Sequence, residues 1–372
     1  MNILLLGTAH PWRGGIAHYF ALLYRYLSKR HHVDIVTFRR QYPAMLYPGK
    51  TQTEIGDPGI VLTTEQRVDS INPLNWLLTG WALRKRNYDV VLFKYWLPFF
   101  GPCFGTICRV IKYRRRTKVF AICDNVIPHE RRLGDVLFTR YAFGSVDSFL
   151  VQSETVEQDL LKTVQHPKYM RVAHPIYENF GSPLSKSEAR KLLGIPNEKV
   201  VLFFGYIRPY KGVDLLLEAM KLLPASENIR LLLVGEFYEN EERYRKFIRR
   251  NDLEHAVNVV SEYVPNAEVP KYFSAADCVV LPYRSATQSG IVQIAYNFDK
   301  PVIVTNVGGL TEMVSDGVTG IVIPPNSPQI LADAIMRFYR DKLEEKLVHG
   351  VRKEKQKYSW DTVVQAIEKL AS

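Results

Sequence analysis

Short apolar runs of about five residues recur along the whole chain, and each is followed by a longer stretch with the spacing of an amphipathic helix. In the first half the runs are Asn2–Leu6, Val33–Phe38, Val90–Lys94, Lys118–Cys123 and Ser148–Gln152. Helical stretches lie between them at Ile16–Ser28, Asn75–Lys85 and Gly105–Tyr113. In the second half the runs are Val200–Phe204, Arg230–Val234, Val257–Val260, Cys278–Leu281, Val302–Thr305 and Gly320–Ile323. Helical stretches there are Val213–Leu223, Glu241–Asn251, Val269–Ala275, Ser289–Asn297 and Gln329–Asp341. Runs this apolar have no polar face, so each predicts a strand covered on both sides, and the alternation with helices predicts parallel sheets. The rhythm breaks near Ala173–Leu184, at His174-Pro175-Ile176-Tyr177 and Gly181-Ser182-Pro183. The sequence thus predicts an α/β chain of two Rossmann-like, doubly wound domains, residues 1–177 and 178–357, with a final helix in residues 358–372. A length of 372 residues suits two domains. In such sheets ligands sit beyond the carboxyl ends of the strands, where the strand order reverses. Two such edges facing each other would enclose an interdomain cleft.

Charge is the compositional oddity. The chain carries a formal net charge of +11. Residues 1–181 hold 24 Lys+Arg against 14 Asp+Glu, a net of +10, while residues 182–372 hold 25 against 24. An excess confined to one half points to an anionic partner of that half, and a general nucleic-acid binder is disfavoured. Met1-Asn2-Ile3-Leu4-Leu5-Leu6-Gly7 lacks the basic start and the apolar length of a signal peptide and reads as a first strand. The longest uncharged stretch, Tyr95 to Cys108, is too short and too rich in Pro and Gly to span a bilayer. Cys103, Cys108, Cys123 and Cys278 have no metal-ligand spacing, so free thiols in a cytoplasmic protein are expected.

Four loops carry candidate chemistry. The first, Gly7-Thr8-Ala9-His10-Pro11-Trp12-Arg13-Gly14-Gly15-Ile16, places Gly14 and Gly15 at the opening of a helix. Free N–H groups there can meet a phosphate, or the pair is simply a tight turn. It lacks the G-x-G-x-x-G pattern, which disfavours a nicotinamide dinucleotide. The second, Phe204-Gly205-Tyr206-Ile207-Arg208-Pro209-Tyr210-Lys211-Gly212, sets two cations before a helix. Arg208 and Lys211 suit a diphosphate, the alternative being a solvated basic loop. The third, Thr287-Gln288-Ser289-Gly290-Ile291, opens another helix and reads as an anion cradle or as plain capping by Ser289. The fourth, Thr305-Asn306-Val307-Gly308-Gly309-Leu310-Thr311-Glu312, offers Glu312 to ribose or sugar hydroxyls, or merely as a first-turn carboxylate.

In order and spacing, F-G-Y-I-R-P-Y-K-G, L-L-L-V-G, Y-F-S-A-A-D-C-V-V-L-P-Y, K-P-V-I-V-T-N-V-G-G-L-T-E-M-V and D-G-V-T-G-I-V-I-P-P make the second half resemble the donor domain of retaining, family 4 glycosyltransferases of the GT-B fold. The first half is similar more weakly, through R-G-G-I-A-H-Y, V-Q-S-E and H-P-I-Y. The final helix, opening at Tyr358-Ser359-Trp360-Asp361, resembles the family helix that packs back on the first domain. The resemblance implies an acceptor-binding first domain and a donor-binding second domain holding a UDP- or GDP-linked sugar as substrate, with no separate cofactor. By matching position Lys211 would bind the diphosphate, the amides of Gln288 to Ile291 would hold phosphates, and Gly15 would cover them. Glu262-Tyr263-Val264 would lie near the base.

The chain departs from the family in three places. Two glutamates usual in the family fall at Ala286 and Ile294, so hydroxyl recognition must come from Thr287, Gln288, Ser289 or elsewhere. The usual phosphate arginine falls at Tyr206, with Arg208 two residues on as its replacement. A frequent histidine falls near Cys123, where Asp124 and His129 stand instead, in catalytic or structural roles. The resemblance implies an oxocarbenium-like transition state with a departing diphosphate, which Arg208, Lys211 and helix N-termini would stabilise. No D-x-D clamp stands in the expected place, so no metal is predicted. The acceptor expected is a glycan or a polyprenyl-linked glycan. The aromatic and basic stretches Trp76–Arg86, Tyr95–Phe100 and Lys112–Arg116, with Arg109, suit an anionic membrane surface, or else a core aromatic set with a solvated basic face. The rival readings are a sugar-nucleotide epimerase or hydrolase of the same fold, and a non-catalytic binding subunit.

Overall fold

The computed structural model describes all residues except 44–46, 48, 50, 55, 57–58, 61, 128–132 and 196–198. It divides into two compact units, one of Met1–Glu54, Ile60–Pro175 and Ser359–Ser372, the other built on Ile176–Tyr358.

The first unit runs β1 (Asn2–Leu6), α1 (Gly15–Leu27), β2 (His32–Arg40), β3 (Glu65–Asp69), α2 (Pro73–Arg84), β4 (Val90–Tyr95), α3 (Gly101–Lys112), β5 (Lys118–Cys123), α4 (Asp135–Phe143), β6 (Ser148–Val151), α5 (Glu154–Thr163) and β7 (Tyr169–Arg171). Its seven strands form one parallel sheet in the order β3-β2-β1-β4-β5-β6-β7, which reverses between β1 and β4. β1 and β4 are buried almost throughout, which is why they read as unbroken apolar runs. β3 and β7 escape that reading. Each is an edge strand with a neighbour on one side only, and Glu65-Gln66-Arg67 and Arg171 leave no apolar run to find.

α3 starts four residues earlier than its apolar spacing predicts. Gly101 and Pro102 occupy its first turn, where a proline loses no intrahelical hydrogen bond. Of the two readings of Tyr95–Phe100, the structure bears out the core aromatic set. Tyr95 and Phe100 are buried, and Trp96, Leu97 and Phe99 pack half-buried against the same cluster. Trp76 turns inward too, its indole N–H donating to the Asp69 carbonyl at 2.6 Å.

The second unit runs α6 (Lys186–Leu192), β8 (Lys199–Phe204), α7 (Val213–Leu222), β9 (Ile229–Val234), α8 (Glu241–Arg250), β10 (Val257–Val260), α9 (Val269–Ala275), β11 (Cys278–Leu281), α10 (Gly290–Asn297), β12 (Val302–Thr305), α11 (Leu310–Met313), β13 (Gly320–Ile323), α12 (Pro328–Arg340) and α13 (Glu344–Glu354). Its parallel sheet has the order β10-β9-β8-β11-β12-β13 and reverses between β8 and β11. The last helix, α14 (Trp360–Ala371), belongs to the first unit. Its Trp360 ring packs edge-on to Tyr19 at 4.9 Å, and Lys118 and Lys168 donate to the carbonyls of Ala371 and Leu370, where a helix C-terminus favours cations. Among the described residues no helix is long and apolar enough to cross a membrane.

Candidate active site

In each unit the strand order reverses at the first strand, so the loops after β1 and β8 lie where such sheets bind ligands. In the second unit β8 ends at Phe204 and Gly205 carries the chain away at φ 110°. The single turn Pro209–Lys211 follows, then Gly212 at φ 67° starts α7. A β-carbon on Gly212 would lie 2.1 Å from the Pro282 carbonyl oxygen, so only glycine lets this loop lie against the end of β11.

That contact brings the loops after β8 and β11 together. The Lys211 ammonium stands over Gly205, where a β-carbon would be 3.3 Å from its Nζ and 3.2 Å from Ile291 Cδ1. Lys211 is buried, and Nζ lies 5.5 Å from the centre of the Tyr283 ring. Burial, with the neighbouring Arg208 charge, pushes its pKa down to about 7. An anion placed beside this ammonium would favour its charged form. Arg208 packs its guanidinium over Tyr238, 4.9 Å from the ring centre.

Three tyrosines follow three neighbouring strands on this side. Tyr206, after β8, lies 4.6 Å from Tyr238, after β9, and 6.5 Å from Tyr263, after β10, the latter pair within 27° of parallel. Val264 beside Tyr263 is half-buried. Thr287 and Ser289 are buried at the entry to α10, and Gly290 is its first residue. Ser289 makes no side-chain cap, so that simple reading of the loop does not hold. Gly290 packs on the Tyr177 ring, 3.0 Å from where its β-carbon would be. Ala286 and Ile294 are buried apolar residues. Glu312 stands exposed on the four-residue α11. The structure thus joins Gly205, Lys211 and Ile291 directly, and Arg208 with Tyr263 through the tyrosines. Glu312 follows β12, the strand next to β11.

Sequence reasoning missed Arg284. It clamps Asp214, in the first turn of α7, and also donates to the Pro209 carbonyl at 2.8 Å. Its backbone N–H donates to the Tyr210 carbonyl at 2.6 Å. Burial alone would raise the Asp214 pKa, but the Arg284 hydrogen bonds and charge hold it below the usual range.

The remaining candidates lie in the first unit. Gly14, at φ 101°, precedes α1, and Gly15 is the exposed first residue of that helix, with no acidic residue in its first turn. The loop before them is pinned by Ala9 N–H to Thr37 Oγ1 at 3.1 Å and by the Trp12 indole to the Phe38 carbonyl at 2.7 Å. Asp124 follows β5 and forms an ion pair with Lys94, a fully buried lysine that also lies 3.7 Å from the Tyr19 ring centre. Burial lowers the Lys94 pKa while Asp124 opposes that shift. His174, beside Tyr19, is pushed down to about 3 by burial and then by Lys94. His129 lies outside the described residues.

Residues 185–357 match the family described as Glycosyl transferases group 1. The D-inositol 3-phosphate glycosyltransferase of Acidothermus cellulolyticus is 26% identical over 387 residues, spanning 95% of this chain and 84% of that protein. Sucrose-phosphate synthase from Thermosynechococcus elongatus superposes with a TM-score of 0.77 at 19% identity, over 100% of this chain and 98% of that one. Anabaena HepE in complex with UDP superposes with a TM-score of 0.76 at 18% identity, over 99% of each. At such identity the likeness to solved structures concerns the fold alone. The chain has the GT-B fold, and within it residues 185–357 are similar to the group 1 glycosyl transferases.

Proposed function

We propose that this protein is a retaining, metal-independent family 4 glycosyltransferase that moves a sugar from a UDP- or GDP-linked donor to a glycan or polyprenyl-linked glycan. Its setting is cell-surface polysaccharide or glycolipid biosynthesis, in the cytoplasm at the inner face of the membrane. The observation that carries the reading is the buried Lys211 over Gly205, flanked by Ile291 and short of solvation. A diphosphate supplies the negative charge that such an ammonium lacks. HepE, a neighbour in fold, is solved with UDP and with UDP-glucose. Relatives named for D-inositol 3-phosphate fit an anionic acceptor for the basic first half.

In this reading Lys211, Arg208 and the N–H groups of Gln288 to Ile291 hold the diphosphate. Tyr263 and Val264 flank the base, with Gly205, Thr287, Ser289 and Glu312 completing the surroundings of the donor. As the bond from the anomeric carbon to the phosphate oxygen breaks, charge grows on that oxygen. The cations and amides stabilise it without reorganising, and the same oxygen accepts the proton of the attacking acceptor hydroxyl. Asp124 and His129 are the first-unit groups assigned to orient the acceptor.

Calorimetric titration with a panel of nucleotide sugars tests the proposal, followed by product analysis with and without acceptor. Tight binding of one donor and transfer with retained anomeric configuration are expected. Turnover of donor alone would favour an epimerase or hydrolase and overturn the proposal.

A further inference from the structure

The outer helices of the first unit carry an apolar surface that the fold leaves bare. α2 buries Thr79, Gly80 and Leu83. Its other side shows Leu74, Leu77, Leu78 and Trp81, exposed by 71%, 43%, 70% and 47% and spaced as one helical stripe. α4 repeats this with Val136 and Leu137, exposed by 64% and 68%, and with Tyr141. α3 packs against both α2 and α4, so the three helices share one layer. A β-carbon on Gly80 would come within 2.6 Å of Val110, and one on Gly101 within 2.4 Å of the Phe138 carbonyl. Arg109 bonds α3 to α4, donating to the Tyr141 carbonyl at 2.6 Å with its guanidinium over that ring.

Cations border the stripe of α2. The Arg84 guanidinium lies 5.1 Å from the Trp81 ring centre and 5.8 Å from that of Tyr113, and Arg114 covers Tyr113 at 5.2 Å. Lys85, Arg115 and Arg116 are exposed beside them. A soluble helix normally turns its leucines inward, and a contiguous bare patch of this kind marks an interaction site. Aromatic rings set between leucines and guanidinium groups match the layering of a bilayer interface, with acyl chains below and headgroup phosphates above. A second copy of the chain is the poorer occupant, because it would bring a half of net charge +10 against its like.

We infer that the α2–α4 face docks on an anionic lipid bilayer. Leu74, Leu78, Trp81 and Leu137 enter the acyl boundary, while Arg84 and Arg114–Arg116 meet the headgroups. The inference rests on the proposed lipid-linked acceptor and specifies where the protein would sit to reach it.

The test is flotation of the full chain with acceptor-free vesicles, of phosphatidylcholine alone or mixed equally with phosphatidylglycerol. Two variants accompany it, Leu74→Ser/Leu78→Ser/Leu137→Ser and Arg114→Glu/Arg115→Glu/Arg116→Glu. All the replaced side chains are exposed, and an unchanged thermal midpoint verifies the fold. The parent should float with the anionic vesicles and hardly with the neutral ones, and each variant should bind at least about tenfold more weakly. A parent that stays unbound, equal binding to both vesicles, or variants that float like the parent would overturn the inference. So would a parent dimer, seen by sedimentation, that the serine variant makes monomeric, because a second copy would then cover the face. Flotation without transfer to a polyprenyl-linked acceptor would sink the acceptor reading and leave the docking face standing. Transfer to that acceptor by a chain that does not float would do the reverse.

Discussion

Arg284 grips Asp214 through two parallel hydrogen bonds, Nη1 to Oδ1 and Nη2 to Oδ2, each 2.8 Å long. The pair ties the loop after β11 to the first turn of α7, and the further bonds to Pro209 and Tyr210 fix the turn that presents Lys211. Arg284→Ala is expected to lower donor affinity about tenfold while costing only ~1 kcal/mol of stability, since both partners are about a third exposed and screened by water. Arg284→Lys should rescue little, because a single ammonium cannot reproduce the two-pronged geometry. Titration calorimetry with a nucleoside diphosphate reads the effect, and full affinity in the alanine variant contradicts the clamp.

Lys211 makes donor binding depend on pH. With its pKa near 7 in the empty site, the lysine is increasingly neutral above that pH. A bound diphosphate favours the ammonium and raises the pKa in the complex. Binding therefore takes up a proton above pH 7, and affinity should weaken there by up to about tenfold per unit. Lys211→Met should flatten that dependence and lower turnover by about a hundredfold or more. The ligand-free protein behaves in the opposite sense. Its folded pKa lies below the ordinary 10.5, so the unfolded chain holds more protons between about 7 and 10.5. Stability should rise with pH through that window, and the methionine variant should lack the rise.

Gly212 is a purely steric prediction. Gly212→Ala places a methyl group 2.1 Å from the Pro282 oxygen, at a φ that L-residues rarely adopt. Backbone strain of this kind costs about 1–3 kcal/mol before the clash is added. The variant should bind donor poorly and melt earlier than Gly194→Ala, which bears the same backbone strain without the clash. Gly194 also has positive φ, but nothing lies within 4 Å of its added carbon.

Gln293 is fully buried in α10, and neither atom of its amide has a partner among the described residues. A buried amide left unpaired costs about 1–3 kcal/mol. Gln293→Leu should therefore raise stability by that order in the ligand-free protein, as read from denaturant midpoints. A destabilised leucine variant would show that the amide is satisfied in solution.

The legible parts of the sequence are those where burial and periodicity coincide. β10, β11, β12 and β13 have the bounds their apolar runs predict. The fold class follows from that rhythm. Long-range pairing was not legible. Asp214 and Arg284 are 70 residues apart and look like two surface charges until the β11 loop folds over the β8 loop. Lys94 read as the polar end of a strand, yet β4 runs on to Tyr95 and carries the lysine into the interior to meet Asp124. A cation closing an otherwise apolar run was the available signal. Tyr95–Phe100 was ambiguous for the converse reason, since an aromatic run beside prolines looks alike in a core and on a membrane-facing surface.

The Lys94–Asp124 pair separates a structural from a chemical role for Asp124. Removing one partner of a buried ion pair strands the other charge, at a cost of about 3–5 kcal/mol. Asp124→Asn should therefore destabilise the first unit whatever its part in the reaction, and lost activity in that variant alone proves nothing. Lys94→Met/Asp124→Leu removes both charges, and an apolar replacement of such a pair is often neutral or stabilising. The double variant should regain the parent's thermal midpoint. If Asp124 orients the acceptor, the refolded double variant should still transfer sugar at least about tenfold more slowly, with nucleoside-diphosphate affinity unchanged. Restored stability together with restored transfer would assign Asp124 to holding Lys94 and nothing more.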